Sequence, residues 1–192
     1  SLMSRVLVIR GIAFDVLDEP DSALYLYRSG YNVAKKDQDS AMQASAFNNI
    51  GLIHWNQNRM DSAIEYYQFS EVLFNAIQDT TGLLSTRNNI GLIFSEENRL
   101  EDALKYFYSV LEDSRIYNSD YYESTASQNL GIAYSDLGEM DSASHYLLHA
   151  ISIQKKIDNK WGLAKSYHSI HDAYMEFNQV DLAIEAQQNA IS

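Results

Sequence analysis

The chain contains no cysteine. That removes disulfides, thiolate nucleophiles and thiolate metal ligands together, while suiting oxidising and reducing compartments alike, so localisation stays open. Basic residues are scarce: 14 Lys and Arg stand against 26 Asp and Glu, for a net charge of −12 and a pI near 4.7. A chain so short of cations lacks the basic face that phosphate contacts need, which argues against a direct nucleic-acid partner. No run approaches the roughly 18 apolar residues of a membrane span, and the start has no basic stretch leading into an apolar core, so neither membrane insertion of this segment nor a signal peptide is expected. Also missing are a phosphate-cradling glycine loop, a Gly-x-Ser-x-Gly elbow and a metalloprotease helix motif. No catalytic residue, cofactor or metal is therefore expected, and an enzyme acting on a small molecule is the weakest functional class.

What the 192 residues do contain is a repeat, in a composition 46% hydrophobic and ample for a buried core. Glycine returns at one fixed interval, at Gly11, Gly51, Gly91 and Gly131, and alanine follows in the same phase at Ala23, Ala63, Ala103, Ala143 and Ala183. The glycine column breaks at His171, and Arg10 stands where Ile50, Ile90, Leu130 and Ile170 are apolar, so the end units are worn. Apolar residues recur at three- and four-residue steps on both sides of a polar break, which predicts two helices per unit. Asp18, Asn58, Asn98, Gly138 and Asn178 are the expected helix stops, with Asp21, Asp61, Glu101, Asp141 and Asp181 as caps of the second helix and Pro20, Met60, Leu100, Met140 and Val180 as staple residues between them. Asp39, Asp79, Ser119 and Asn159 would cap between units. The periodicity thus predicts an all-α fold, a stack of about five helical hairpins. Its units run 4–40, 41–80, 81–120, 121–160 and 161–192, together one repeat domain.

Small residues at the glycine and alanine columns suit helices that cross closely. The columns Tyr27, Tyr67, Phe107, Leu147 and Phe14, His54, Phe94, Tyr134, Tyr174 are expected to pack between neighbouring hairpins. In this pattern of apolar-Gly, an aromatic three residues on, Ala twelve after Gly and an aromatic four later, the chain resembles the tetratricopeptide repeat family. The usual unit is about 34 residues. This one is 40, and since Gly51 to Ala63 to Tyr67 keeps the family spacing, the surplus falls between Tyr67 and Gly91. The long form is similar to repeats of bacterial peptide-pheromone receptors, of eukaryotic spindle-orientation adaptors, and of units beside bacterial sensor and regulator domains.

The resemblance implies a right-handed superhelix whose first helices line a concave face that holds a peptide or helix. That face would carry Asn48, Asn49, Leu52, Trp55 and Asn56, then Asn88, Asn89, Leu92 and Glu96, then Gln128, Asn129, Ile132 and Asp136. A side-chain amide both donates and accepts, so an amide ladder can grip an extended backbone without regard to its sequence. The plainer alternative makes Asn48 and Asn88 solvated positions and Asn49 and Asn89 braces for the next helix, and Trp55 either an anchor or a residue packed under the adjacent hairpin. Chaperone-tail adaptors of the family hold a carboxylate with lysines, and Asn48, Asn88 and Gln128 stand at those positions instead. Glu96, Asp136, Asp172 and Glu176 tilt the later half towards basic or polar partners. His145 and His149, four apart on one helical face, lack evident further metal ligands, and His168, His171 and Asp172 form a second cluster in a divergent end unit.

The functional expectation is a scaffold for a protein or peptide, with a sensory module of a larger bacterial signalling or transcription-regulator protein as the alternative. Ala183, Ile184, Ala190 and Ile191 begin a helix without a covering partner, and Ser1-Leu2 reads as an appendage ahead of Met3. Both suggest a piece excised from a longer chain, or self-association through uncovered terminal helices as a homo-oligomer.

Overall fold

A computed structural model describes residues 2–191, with side chains described as far as Asn189. Among the described residues the chain is helical throughout: α1 (Leu2–Val16), α2 (Pro20–Lys36), α3 (Ser40–Asn56), α4 (Met60–Ala76), α5 (Thr80–Glu96), α6 (Leu100–Ile116), α7 (Asp120–Asp136), α8 (Met140–Lys156), α9 (Lys160–Glu176) and α10 (Val180–Ile191). The connections that separate these helices are three residues each. The cause is one turn, repeated. Residues 18, 38, 58, 78, 98, 118, 138, 158 and 178 all take positive φ, so the left-handed stop recurs between hairpins as well as within them. In the second hairpin Asn58 N–H donates to the Trp55 carbonyl over 2.8 Å and Arg59 N–H to the His54 carbonyl over 2.9 Å, the paired bonds that close a helix at a left-handed residue. Asp18, Asn58, Asn98, Gly138 and Asn178 are such stops, as expected; Gln38, Gln78, Asn118 and Asp158 are their unforeseen counterparts between hairpins.

Capping follows the expectation between hairpins and departs from it within them. Asp39 Oδ1 accepts from Met42 N–H over 3.1 Å, Asp79 Oδ1 from Gly82 N–H and Asn159 Oδ1 from Gly162 N–H over 3.0 Å each, while Ser119 makes no such bond. Within hairpins the cap positions are Glu19, Arg59, Arg99 and Glu139, none with a side-chain cap bond. Asp21, Asp61, Glu101 and Asp141 lie one place inside the first turn, where a carboxylate acts on the helix dipole and not as a cap. Pro20, Met60, Leu100 and Met140 are the first helical residues, so they do not sit outside the helix as staples do.

The chain divides into two compact units, Ser1–Ile93 and Phe94–Ser192. In the first, α1 packs on α2, α2 on α3 and α3 on α4, and the first helices α1 and α3 also touch. In the second, α6 packs on α7, α7 on α8, α8 on α9 and α9 on α10, and the first helices α7 and α9 touch. The glycine column is small because a ring or a leucine lies on it: a Cβ at Gly11 would stand 2.5 Å from Tyr27 Cε1, and one at Gly131 2.5 Å from Leu147 Cγ. Tyr27 is also buried against Ala46 and Ile50 of the next hairpin, so this column does bridge neighbours. At His171 the missing glycine is offset by a polar contact, since Nδ1 lies 2.9 Å from the carbonyl of Ala183 and donates to it.

Aromatic pairs repeat inside hairpins. His54 stacks on Tyr66 with centroids 5.1 Å apart, Phe94 meets Tyr106 at 5.6 Å and Tyr134 stacks on Tyr146 at 5.7 Å. Of the uncovered terminal residues named above, Ala183 is fully buried and Ile184 is half exposed. The side chains of Ala190 and Ile191 lie outside the described residues.

Candidate functional site

In the first unit, the first helices enclose a cavity of about 300 Å³. α1 contributes Arg5, Val8, Ile9 and Ile12, α3 contributes Met42, Ser45, Asn48 and Asn49, and α5 contributes Gly82 and Ser85, with Phe74 of α4 at the back. These positions are equivalent in the register of the repeat: 5, 45 and 85 form one column, 42 and 82 another, 8 and 48 a third, 9 and 49 a fourth. One face of successive first helices therefore makes the wall, as helical periodicity requires.

The two amides of that wall have different surroundings. Asn48 Oδ1 accepts a hydrogen bond from the buried Thr86 hydroxyl over 3.2 Å, Thr86 Oγ1 lies 3.5 Å from Ser70 Oγ, and Ser70 donates to the Ala44 carbonyl over 2.9 Å. This chain of polar contacts ties α3, α4 and α5 together and spends the Asn48 oxygen on the fold. Asn49, also half-buried, borders the cavity beside it. Leu52, Trp55, Asn88, Asn89 and Leu92 are half-buried on the same helices but are not part of the cavity wall. Asn89 stands at the buried Tyr67 phenol, whose pKa burial pushes up and the amide draws back.

In the second unit the corresponding amides are inside. Gln128 and Asn129 are each only 5% exposed. The Gln128 Oε1 accepts from Gln154 Nε2 over 3.2 Å and from Ser166 Oγ over 3.1 Å, the latter matching the contact of Thr86 with Asn48 two repeats earlier. Ile132 packs against the cluster of Leu147, Ile151 and Ile170. The Asp136 carboxyl is raised from its ordinary value by burial and then by Glu176, whose Oε2 accepts from Ser135 over 3.4 Å.

The histidines fall in three settings. His149 Nε2 lies 3.0 Å from Glu123 Oε1, a carboxylate that sequence spacing did not bring to it, and His145 meets the Tyr146 ring edge-on. Burial raises the Glu123 carboxyl, and Arg115 at 3.0 Å with His149 more than offsets this, leaving it below its ordinary value. His168 pairs with Asp172 at 3.4 Å on an exposed helix face. Among the described residues no group of three or more His, Asp or Glu could hold a metal ion.

The cavity takes in Asn48 and Asn49 of the expected face together with Arg5, Ile9, Ile12, Ser45 and Ser85, to which the amide pattern did not point. The signal was present. Carrying the register of Asn49 and Leu52 back by one repeat lands on Ile9 and Ile12, whose apolar character hid them among core positions.

The tetratricopeptide repeat family model matches residues 42–115 and again 83–156. The chain belongs to the tetratricopeptide repeat family. No curated protein matches it significantly. Among solved structures it is similar to BtubC of P. vanneervenii, at 18% identity and a TM-score of 0.86 over 96% of this chain and 76% of that one. It is equally similar to the apo form of RapI, at 18% and 0.86, covering 98% of this chain and 53% of RapI. A Rap protein complexed with Competence and Sporulation Factor matches at 17% identity and 0.81, over 99% of this chain and 53% of that one. The chain thus spans about half the length of these Rap proteins. At such identities the likeness establishes the fold, an all-α solenoid of tetratricopeptide hairpins, with no helix among the described residues long and apolar enough to cross a membrane.

Proposed function

We propose that this tetratricopeptide chain is a binding scaffold for a protein or peptide and not a catalyst, with the partner lying along the first-helix faces. In the first unit the contacts would come from Asn48, Asn49, Leu52, Trp55, Asn88, Asn89 and Leu92. In the second, Ile132 lies on the equivalent face, while the buried Gln128 and Asn129 act by holding their helices in register. The observation that carries the proposal is the cavity of about 300 Å³ bordered by Asn48 and Asn49, a volume at the lower end of ligand pockets. An amide beside an apolar wall suits a peptide, whose backbone needs donor and acceptor partners while its side chains need cover. The Rap protein complexed with Competence and Sporulation Factor supports the same role by fold.

Once a partner is recovered by pull-down, the double change Asn49→Ala and Asn89→Ala should weaken its binding about tenfold, or about 1.4 kcal/mol, with helical circular dichroism unchanged. Undiminished binding by this variant would overturn the proposal.

A second role, as the sensory module of a larger signalling or regulator protein, is favoured by coverage: the chain matches 53% of RapI and 27% of a signal-transduction ATPase with a tetratricopeptide repeat sensor from Pyrococcus horikoshii. In that case residues 1–192 form one repeat domain of a longer protein. A full-length gene encoding no further domain would contradict it.

A further inference from the structure

The first helices of the first unit differ in charge from the molecule that contains them. The net charge is −12, yet α3 has no Asp, Glu, Lys or Arg from Ser40 to Asn56, and α1 carries Arg5 and Arg10 with Asp15 as its one acid. On α5 as far as Ile93 the charged residue is Arg87, which is paired with Glu71 at 2.6 Å. The cavity between these helices therefore has a cationic edge at Arg5 and no acidic lining residue. Its wall is apolar on one side, where Ile9 is 58% and Ile12 43% exposed. Large aliphatic side chains left this open at the mouth of a cavity stand to gain from a covering apolar group. At about 30 Å³ per water the space equals about ten waters, room for one bulky side chain with its backbone.

Resting on the scaffold role proposed above, we infer that this cavity selects an acidic peptide segment that carries one bulky apolar residue. The apolar side chain packs against Ile9, Ile12 and Phe74. The peptide group beside it meets the Asn49 amide, and a flanking Asp or Glu meets Arg5. Arg5 already attracts Asp39, but the Asp39 Oδ1 is taken by Met42 N–H, and a guanidinium with five N–H donors keeps several for an incoming carboxylate. A basic segment is disfavoured at the same edge, so charge supplies specificity while apolar burial supplies most of the affinity.

The test uses the full chain and three fluorescein-labelled peptides: Asp-Glu-Leu-Phe-Glu-Asp, the same peptide with Lys at every acidic place, and the same peptide with Ala-Ala for Leu-Phe. Fluorescence anisotropy should find the first bound about tenfold more tightly than either other peptide. Arg5→Glu, at an exposed position, should cut that preference over the Lys peptide by about twofold to fivefold, the upper part of the range of an exposed ion pair. Equal binding of the Lys peptide, or an Arg5→Glu variant that keeps the full preference, overturns the selectivity. If the Lys peptide binds as well and Asn49→Ala weakens it, the scaffold stands and the acidic preference falls. Failure of every peptide to bind overturns both.

Discussion

Thr86 donates its hydroxyl to Asn48 Oδ1 over 3.2 Å, and two repeats later Ser166 donates to Gln128 Oε1 over 3.1 Å. A recurring contact between first helices of adjacent hairpins is thus part of the stack itself, and it fixes the amide column that the candidate site shares. Thr86 is fully buried, so Thr86→Val keeps the shape while removing the donor, and urea denaturation should register a loss of about 1 to 3 kcal/mol. Ser166→Ala should cost less, because Gln154 continues to donate to Gln128. Equal stability of Thr86→Val and the parent would mean that the contact contributes nothing.

Two glycines should respond to alanine for different reasons. At Gly131 a Cβ would stand 2.5 Å from Leu147 Cγ and 3.1 Å from the Ala143 carbonyl oxygen, so Gly131→Ala should lose about 1 to 3 kcal/mol by overpacking. At Gly138 nothing lies within 4 Å, but φ is +77°, so Gly138→Ala should lose about 1 to 2 kcal/mol through backbone strain alone. A compensating Leu147→Ala should recover part of the first loss when the two are combined and none of the second, as a double-mutant cycle would record.

His54 gives the fold a pH dependence. Burial, then Arg59 and Arg28, hold its pKa below the ordinary 6.5, and neither ring nitrogen has a hydrogen-bond partner. The folded state therefore prefers the neutral ring. Above about pH 6.5 the ring is neutral folded or unfolded, and stability is unaffected by it; as pH falls from 6.5 towards the lowered folded value the unfolded chain takes up the proton first, and stability drops. His54→Phe, which copies Phe94 one repeat on, should flatten the fall in melting temperature between pH 7 and pH 5. A variant that loses as much as the parent over that interval would place the titration elsewhere.

The Glu123 cluster should act lower on the pH scale. Its carboxyl sits below the ordinary value of 4.5 because Arg115 and His149 outweigh burial, so the stability it adds is present above about pH 4.5 and is lost as pH falls through the lowered folded value. Glu123→Gln should leave the His54-linked change between pH 7 and pH 5 intact while removing part of the loss below pH 4.5. A Glu123→Gln protein with the parent's acid unfolding curve would show that the cluster is solvated too well to matter.

Much of this was legible in the residues, and what was not had definite causes. The turn at Asn58 could be read because Asn favours positive φ, and its column repeats Asn, Asp or Gly; the matching stops at Gln38 and Gln78 use a residue with no such preference. Asp61 looked like a cap because Asp caps well, yet the cap position of α4 falls on Arg59, which leaves Asp61 inside the first turn. The cavity was half visible. Asn48 and Asn49 stood out as polar on a helix of apolar neighbours, whereas Ile9 and Ile12 are apolar as core residues are, and only the fold shows them uncovered. Burial of Gln128 depends on Gln154 and Ser166 arriving from other helices, which no local pattern discloses.

On the proposed scaffold role, the first-helix face of the first unit receives the partner. A photo-crosslinking residue at Ser45, which lines the cavity, tests it most directly against one at Ser152, which is exposed on the second helix α8. With a tight-binding peptide selected from a random library, Ser45 should give capture that excess unlabelled peptide abolishes, and Ser152 only background. Specific capture from Ser152 with none from Ser45 would contradict it.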